Sequence, residues 1–315
     1  MPFECLPTNN GILPYADAIN NGASPGLVVL TNAAGMERML IKNGKAVDKS
    51  HMVPSLLGGF GGRSFVFAKN SKQQASTKKY LKQLFAGSNL EQVRALLKRV
   101  TLQRLQRLQS SAKERKKLVE FNLTAELVDT IGIFALKVFF GEPNIDVEPD
   151  TLQIYNDAGT LETMSFSMAF RTVWRQKFSK LGSFVRLFLL DPLTDWCLTP
   201  YERRVQHNAQ TLKAYLRAKR AKHAEWRAQN PISASSDLIL FCDLLQADKK
   251  RFEDEELVLE ELVTSFFGFS QTTASSVCQT FYQLIKNREA AEGVLDELQR
   301  TQVSEEDADK TEDLP

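Results

Sequence analysis

Five small or polar residues interrupt an otherwise apolar helix pattern, and they are the strongest candidates for chemistry in this chain. Within the stretch FFGFSQTTASS these are Gly268, Ser270, Gln271, Thr272 and Thr273. Their hydroxyls can bond back to carbonyl oxygens four residues earlier, which satisfies them locally and bends the helix. Alternatively, this turn faces a bound ligand. The residue types alone leave both explanations open.

The cysteines and histidines, which could bind metal or act as nucleophiles, are isolated. No C-x-x-C pair occurs, and no histidine has a second ligand three or four residues away: Cys5, Cys197, Cys242, Cys278, His51, His207 and His223. The spacing therefore indicates neither a disulfide framework nor a metal site. Each histidine is expected at the surface or at a helix cap.

The elements that position the polar turn are predicted to be mostly helical. Apolar residues recur at helical spacing from residue 71 to 108, and residues 121–140 form a nearly all-apolar helix that should be buried on most sides. Further helices are predicted over residues 151–174, 201–229, 235–246, 254–286 and 288–300. A short strand is predicted at residues 27–30, between loops at 7–26 and 56–62.

Composition excludes several classes of protein. The chain has 315 residues, 43% of them hydrophobic, and 40 Lys+Arg balance 38 Asp+Glu. This profile is typical of a folded globular protein and not of a disordered, collagenous or disulfide-rich one. The net charge of +2 is too small to favour a nucleic-acid partner, and the basic run at residues 94–117 is interpreted as the solvated face of a helix. The sequence contains no run of 18 apolar residues, so it predicts no membrane-spanning helix.

Six segments, taken in order, resemble successive parts of the cytochrome P450 family. The long helix with FFGFSQTTASS is similar to its I helix, and REAAEGVLDELQR to its J helix. The earlier segments resemble the region before the B–C loop, the C helix, the E helix and the H region: LVVLTNAAGMERMLIKNG, SKQQASTKKYLKQLFAGSNL, FNLTAELVDTIGIFALKVFFGEP and SSDLILFCDLLQ. The resemblance implies a mainly α, partial cytochrome P450 fold, from the B-helix region to the J helix, with one or two short strands near the N-terminus. It places that domain at residues 1–300 and an acidic loop at 301–315.

The resemblance implies a haem-dependent monooxygenase that oxidises a small lipophilic substrate with O2. In the family's I helix, a small residue and a glycine open space over the haem, and an acid followed by a threonine relays protons. Here Gly268 and Thr272 match the haem-facing positions, and Thr272 matches the relay hydroxyl. Gln271 stands in place of the acid and can hold a water but cannot ionise. Phe269 stands in place of the glycine.

The resemblance also suggests residues for the haem, the substrate and the electron donor. Gln74 and Lys78 match the C-helix positions that meet a haem propionate. An equally good interpretation is that Lys78 is a solvent-exposed side chain without a ligand. Phe60, Phe266 and Phe269 are expected in the substrate pocket. An NADPH-dependent reductase or a ferredoxin-type donor would dock on a basic surface that includes Lys78, Lys79 and Lys82.

Two parts of the family pattern are expected beyond Pro315: the Glu-x-x-Arg helix and the loop whose cysteine binds the haem iron. None of the four cysteines has that loop's flanking residues. The chain is therefore expected to be a truncated member that is inactive alone. The full-length form is expected at the endoplasmic reticulum membrane, with peripheral contact, or in mitochondria. The alternative is a haem-free helical binding or scaffold protein derived from the family.

Overall fold

The computed structural model describes residues 12–14, 28–30, 37, 54, 57–67, 82–84, 86–115, 122–178, 199–232, 238–247 and 252–300. Eight α-helices account for most of this part of the chain. They are α1 (Gly87–Arg115), α2 (Leu123–Phe140), α3 (Phe166–Lys177), α4 (Pro200–Gln229), α5 (Phe241–Ala247), α6 (Glu255–Phe266), α7 (Thr272–Lys286) and α8 (Arg288–Arg300). The mainly α prediction is thus confirmed.

Helix α2 is the centre of the fold, as its apolar sequence predicts. Every residue from Ile131 to Phe140 is buried, and α2 packs against α1, α3, α5, α6 and α7. Gly132 permits the close approach of α3, because a Cβ at this position would lie 2.0 Å from Ser167 Oγ and 3.4 Å from Phe266 Cζ. The helix begins at the N-cap Asn122, whose side chain accepts from the Ala125 amide, and ends before Gly141 with φ +88°.

Residues 151–165 form a β-hairpin, so the prediction of one helix over 151–174 is wrong in its first half. Strands β3 (Thr151–Tyr155) and β4 (Leu161–Ser165) pair antiparallel, with Ile154 opposite Glu162. The turn is built by Asn156, whose side chain accepts from the Thr160 amide, and by Gly159 with φ +84°. Asn and Gly at these positions favour a turn over a helix. Helix α3 begins only after Ser165 caps it.

A second small sheet lies near the N-terminus. Strand β2 (Val28–Leu30) confirms the predicted strand, and it pairs antiparallel with β1 (Ile12–Pro14), which falls within a segment predicted to be a loop. The predicted strand count of one or two is therefore correct for the N-terminal region, and the hairpin at 151–165 adds two more. The predicted acidic loop at residues 301–315 lies outside the described residues.

Helices α6 and α7 form one long element that is interrupted by a single π-helical segment, Phe267–Gln271. Asp254 caps its start, where its carboxylate accepts from the amides of Glu256 and Leu257. The predicted helix over 254–286 is confirmed, and the polar break in its sequence coincides with the π segment. None of the described helices is long and apolar enough to cross a membrane.

One buried polar cluster joins α4 to α5 and to the end of α2. His223 is fully buried, with Nε2 3.1 Å from Asp243 Oδ1 and Nδ1 3.1 Å from the Phe140 carbonyl oxygen. Arg227 donates to both carboxylate oxygens of Asp243. The expectation that each histidine lies at the surface or at a cap is wrong for His223, because this cluster satisfies its ring nitrogens in the interior.

Candidate functional site

The π segment places neighbouring residues of the long helix in different surroundings. Ser270 Oγ donates to the Phe266 carbonyl oxygen over 2.7 Å, and Thr272 Oγ1 donates to the Gly268 carbonyl oxygen over 2.8 Å. Ser270 is buried, whereas Gly268 and Thr272 are exposed. The hydroxyls are thus satisfied locally, but an exposed face remains at the centre of the helix. Single π turns inside α-helices are frequently found at functional sites.

Thr272 lies in a cavity of about 370 Å³ between α3 and the π segment, referred to below as the small cavity. This volume is within the range of small-molecule sites. Its wall combines aromatic rings, hydroxyls, an amide and guanidinium groups: Arg171, Trp174, Arg175, Phe267, Gln271, Thr272 and Ser275. None of these described lining residues is acidic, so the small cavity favours neutral or negatively charged ligands.

Thr273, the next residue, faces a different space. A groove of about 830 Å³ runs between α1, α2 and the long helix and is referred to below as the apolar groove. Gly268, Phe269 and Thr273 contribute to it from the long helix, and a Cβ at Gly268 would meet no atom within 4 Å. Arg104, paired with Glu126 at 2.5 Å, is a charged residue at its wall. Arg104 is largely buried, in contrast to the solvated face expected for the basic run.

Helix α3 is held firmly against the π segment and forms one side of the small cavity. The Trp174 ring stacks on the Phe267 ring, with centroids 3.9 Å apart and planes 13° apart. Gln271 is buried, and its Nε2 donates to the Ser167 carbonyl oxygen over 3.4 Å. This amide contact connects the two helices at the floor of the small cavity.

The first turn of α3 is fixed by polar contacts to its neighbours. Ser165 Oγ accepts from the Met168 amide and donates to Asp129 Oδ1 on α2. Burial raises the pKa of the Asp129 carboxyl more than the hydrogen bond from Ser165 lowers it. The Asp150 carbonyl oxygen accepts from the Phe166 amide, so the chain before β3 also anchors this turn.

Tyr215 on α4 and Asp150, directly before β3, support the same turn. Tyr215 donates to Asp150 Oδ2 over 2.7 Å and stacks on Phe166 at a centroid distance of 4.3 Å. Burial opposes ionisation of Asp150, but the hydrogen bonds from Lys219 and Tyr215 prevail and lower the pKa of its carboxyl. Burial, followed by the bond to Asp150, raises the pKa of Tyr215. Tyr215 therefore remains a neutral hydrogen-bond donor.

The structure divides the residues predicted for the site among four places. Gln271 and Thr272 line the small cavity, and Gly268 and Phe269 line the apolar groove. Phe60 and Phe266 are buried in the hydrophobic core and line neither of these two spaces. Gln74 and Lys78 lie outside the described residues, whereas Lys82 is described and exposed.

Gly268 and Thr272, the two positions that the resemblance assigns to the haem, are both exposed on the long helix but border different spaces. Gly268 leaves open space above the helix, and Thr272 presents a hydroxyl beside it. Of the described thiols, Cys242 is buried in the core and Cys278 Sγ lies 3.6 Å from Thr124 Oγ1. Burial raises the pKa of the Cys242 thiol, which keeps it protonated. Within the described part of the chain, no three metal-ligating side chains cluster.

Five residues that line the small cavity are not among the predicted site residues. Phe267 and Ser275 lie on the long helix, and the other three are Arg171, Trp174 and Arg175. All three lie on α3, whose start the sequence analysis places 15 residues too early. Their signal is the placement of two arginines four residues apart with an aromatic residue between them, which puts all three near one face of a helix. The local sequence does not predict that they lie near Thr272, because about 100 residues separate them along the chain.

Comparison with known families supplies one match. The family model described as Cytochrome P450 matches residues 23–315. This match spans nearly the whole chain and includes the helix that carries both Thr272 and Gln271. Comparison with curated proteins finds no match.

Proposed function

Because the chain belongs to the cytochrome P450 family, we propose that it is a haem-dependent monooxygenase that oxidises a lipophilic organic substrate with O2. The observation that carries this proposal is the exposed hydroxyl of Thr272 at the end of the π segment, where it borders the small cavity. The stacked rings of Trp174 and Phe267 give that cavity an aromatic wall. A proton donor beside an aromatic binding space suits oxidation of a lipophilic molecule.

Gly268 and Thr272 are proposed to lie against the haem, and Gln74 and Lys78 to hold a propionate. When bound, the haem iron supplies the redox chemistry that activates O2, which no side chain can provide. The substrate is proposed to bind in the small cavity, on the side of Thr272 and against the wall of Trp174 and Phe267. Phe269 borders the apolar groove instead, and Phe266 packs in the core. Phe60 supports this wall indirectly, since its ring packs on Phe170 and Trp174.

Thr272 is proposed to hold and release a proton at its Oγ1 atom. In the structure this hydroxyl donates to the Gly268 carbonyl oxygen, so rotation about one bond would turn its proton toward the small cavity. Gln271 cannot take part as an acid or base, because an amide does not ionise in this pH range. Its Nε2 atom is engaged by Ser167, which leaves its carbonyl oxygen to orient a water beside Thr272.

Electrons are proposed to come from an NADPH-dependent reductase or a ferredoxin-type donor. The basic residues Lys78, Lys79 and Lys82 form the proposed docking surface, of which Lys82 is described and exposed. The proposed location is the endoplasmic reticulum membrane, with peripheral contact, or the mitochondrion, where such donors reside.

The proposal is tested with the protein expressed in the presence of haem. Stoichiometric haem and a reduced, carbon-monoxide-bound spectrum with a red-shifted thiolate band would support it, together with product formed from O2 in the presence of a reductase. Haem-free protein that folds normally would contradict it.

A haem-free binding or scaffold role is the second candidate, and Phe269 favours it. The Phe269 ring meets Phe139 edge-on at a centroid distance of 5.4 Å and occupies the position at which the family carries a glycine. Extra bulk there reduces the room for a flat ligand. Stoichiometric haem with turnover of any substrate would rule this candidate out.

A further inference from the structure

We propose that the small cavity binds a lipophilic substrate through a negatively charged group, a carboxylate or a similar oxyanion, which pairs with Arg171. This inference rests on the proposed function, because it names the class of substrate that would lie beside Thr272. It specifies which residue selects that class.

Arg171 and Arg175 lie four residues apart on α3 and both line the small cavity. They differ in their partners. Arg175 Nη2 is 2.5 Å from Asp157 Oδ2, so an acid of the hairpin turn already neutralises it. Arg171 forms no ion pair with any acid of the described chain. Its guanidinium therefore remains available to a ligand.

The rest of the cavity determines what kind of anion would fit. Trp174 and Phe267 form a stacked aromatic wall, which favours an apolar body over a small inorganic ion. Gln271, Thr272 and Ser275 add neutral polar groups but no negative charge. An anionic head at Arg171 with an apolar tail along the rings satisfies both features, and guanidinium binds a carboxylate in a two-pronged geometry.

Arg171 is exposed, so water and salt screen its charge and the expected preference is moderate. The uncharged counterpart of the same ligand retains the apolar contacts and loses only the charge-assisted bond. We therefore expect dodecanoate to bind about tenfold more tightly than its methyl ester at low ionic strength. High salt should reduce binding of the acid and leave the ester nearly unaffected.

The test is a binding titration of the full chain with dodecanoate and with methyl dodecanoate, followed by tryptophan fluorescence and by calorimetry. Neither O2 nor an electron donor is present. Arg171→Gln should abolish the preference for the acid, and Arg171→Lys should restore most of it because the charge is retained. Trp174→Phe should remove most of the fluorescence response to both ligands if they bind beside this ring.

Arg203→Gln is the matched control, because Arg203 is an exposed arginine of α4 outside the small cavity. It should leave the preference unchanged. Equal binding of acid and ester by the unaltered chain, or a preference that survives Arg171→Gln, would overturn the proposal. A protein that shows the preference but never oxidises a ligand would instead contradict the monooxygenase proposal alone.

Discussion

Thr272 Oγ1 donates a hydrogen bond to the Gly268 carbonyl oxygen over 2.8 Å, across the turn where π geometry returns to α geometry. Gly268 borders the apolar groove and Thr272 borders the small cavity. The bond therefore marks the boundary between the two spaces. Both residues are exposed in a helix whose preceding turns are buried.

Thr272→Ala should leave folding and haem content nearly unchanged, because the lost hydroxyl is exposed and bonds only within its own helix. Product formation should fall by about 100-fold if proton transfer from this hydroxyl limits the reaction. Electrons from the reductase should then appear as hydrogen peroxide. Product, peroxide and NADPH consumption measured in one assay give the coupling.

Thr273→Ala is the matched control for Thr272→Ala. Thr273 lies about 100° further around the helix and lines the apolar groove. Removing the Thr273 hydroxyl should leave the amount of product formed per NADPH consumed unchanged. Equal losses in the two variants would identify this turn as a polar break in a core helix, and the role of Thr272 in proton transfer would be abandoned.

Gln271→Glu should destabilise the folded chain, and the effect should grow with pH. The side chain is buried and donates to the Ser167 carbonyl oxygen, a bond that a carboxylate cannot make. A buried Glu has a folded-state pKa above its unfolded value of about 4.3. Its protonated form can still donate, so stability is retained at low pH and is lost as the pH rises through the raised pKa.

We expect Gln271→Glu to cost little at pH 4, below its unfolded pKa, and about 1–3 kcal/mol at pH 8 in urea unfolding experiments. Gln271→Met removes the same hydrogen bond without adding a charge, so its cost should be the same at both pH values. A cost of Gln271→Glu that is equal at pH 4 and pH 8 would show that residue 271 is solvated in the folded protein.

Asp243→Asn should cost about 2–4 kcal/mol at pH 7, because it leaves Arg227 and His223 without their anionic partner in a largely buried cluster. Burial opposes the ionisation of Asp243, but hydrogen bonds from His223 and Arg227 outweigh it and lower the pKa of the carboxyl below 3.8. A lowered folded-state pKa contributes stability above the unfolded pKa. That stability is lost as the pH falls through the folded value.

The difference between the unaltered chain and Asp243→Asn should therefore be complete at pH 7 and shrink only below about pH 4. Urea unfolding at successive pH values measures it. Asp157→Asn is the comparison variant, because its pair with Arg175 is exposed on both sides. It should cost less than about 1 kcal/mol. Similar losses of unfolding free energy in the two variants would contradict the claim that burial makes the Asp243 ion pairs stronger than an exposed pair.

Gly132→Ala should destabilise the fold by about 1–3 kcal/mol, because the added Cβ would lie 2.0 Å from Ser167 Oγ at the crossing of α2 and α3. Gly268→Ala makes the same chemical change where no atom lies within 4 Å. It should stabilise the chain by about 0.5–1 kcal/mol through the smaller entropy loss of alanine. Thermal or urea unfolding of both variants measures the contrast, and a loss in Gly268→Ala would show that the groove is closed there.

Much of the fold could be predicted from local pattern. The apolar run of α2 predicts a buried helix, and the acidic first turn and long apolar stripe predict the helix that contains Thr272. The hairpin at 151–165 could not be predicted from apolar spacing, because its stability depends on the turn at Asn156 and Gly159 and on pairing between strands. Because the predicted helix includes the hairpin residues, its predicted start lies before the observed start of α3 at Phe166.

The candidate site divides in the same way. The sequence by itself determines that Gly268, Gln271 and Thr272 interrupt an apolar helix, since this needs only the order of residues along one element. Only the tertiary structure decides which of them share a space, because the π segment rotates the following residues relative to those before it. Thr272 and Arg171 line the same small cavity because α3 packs against that segment through Trp174 and Phe267. Contacts between elements about 100 residues apart arise from packing, which local periodicity does not encode.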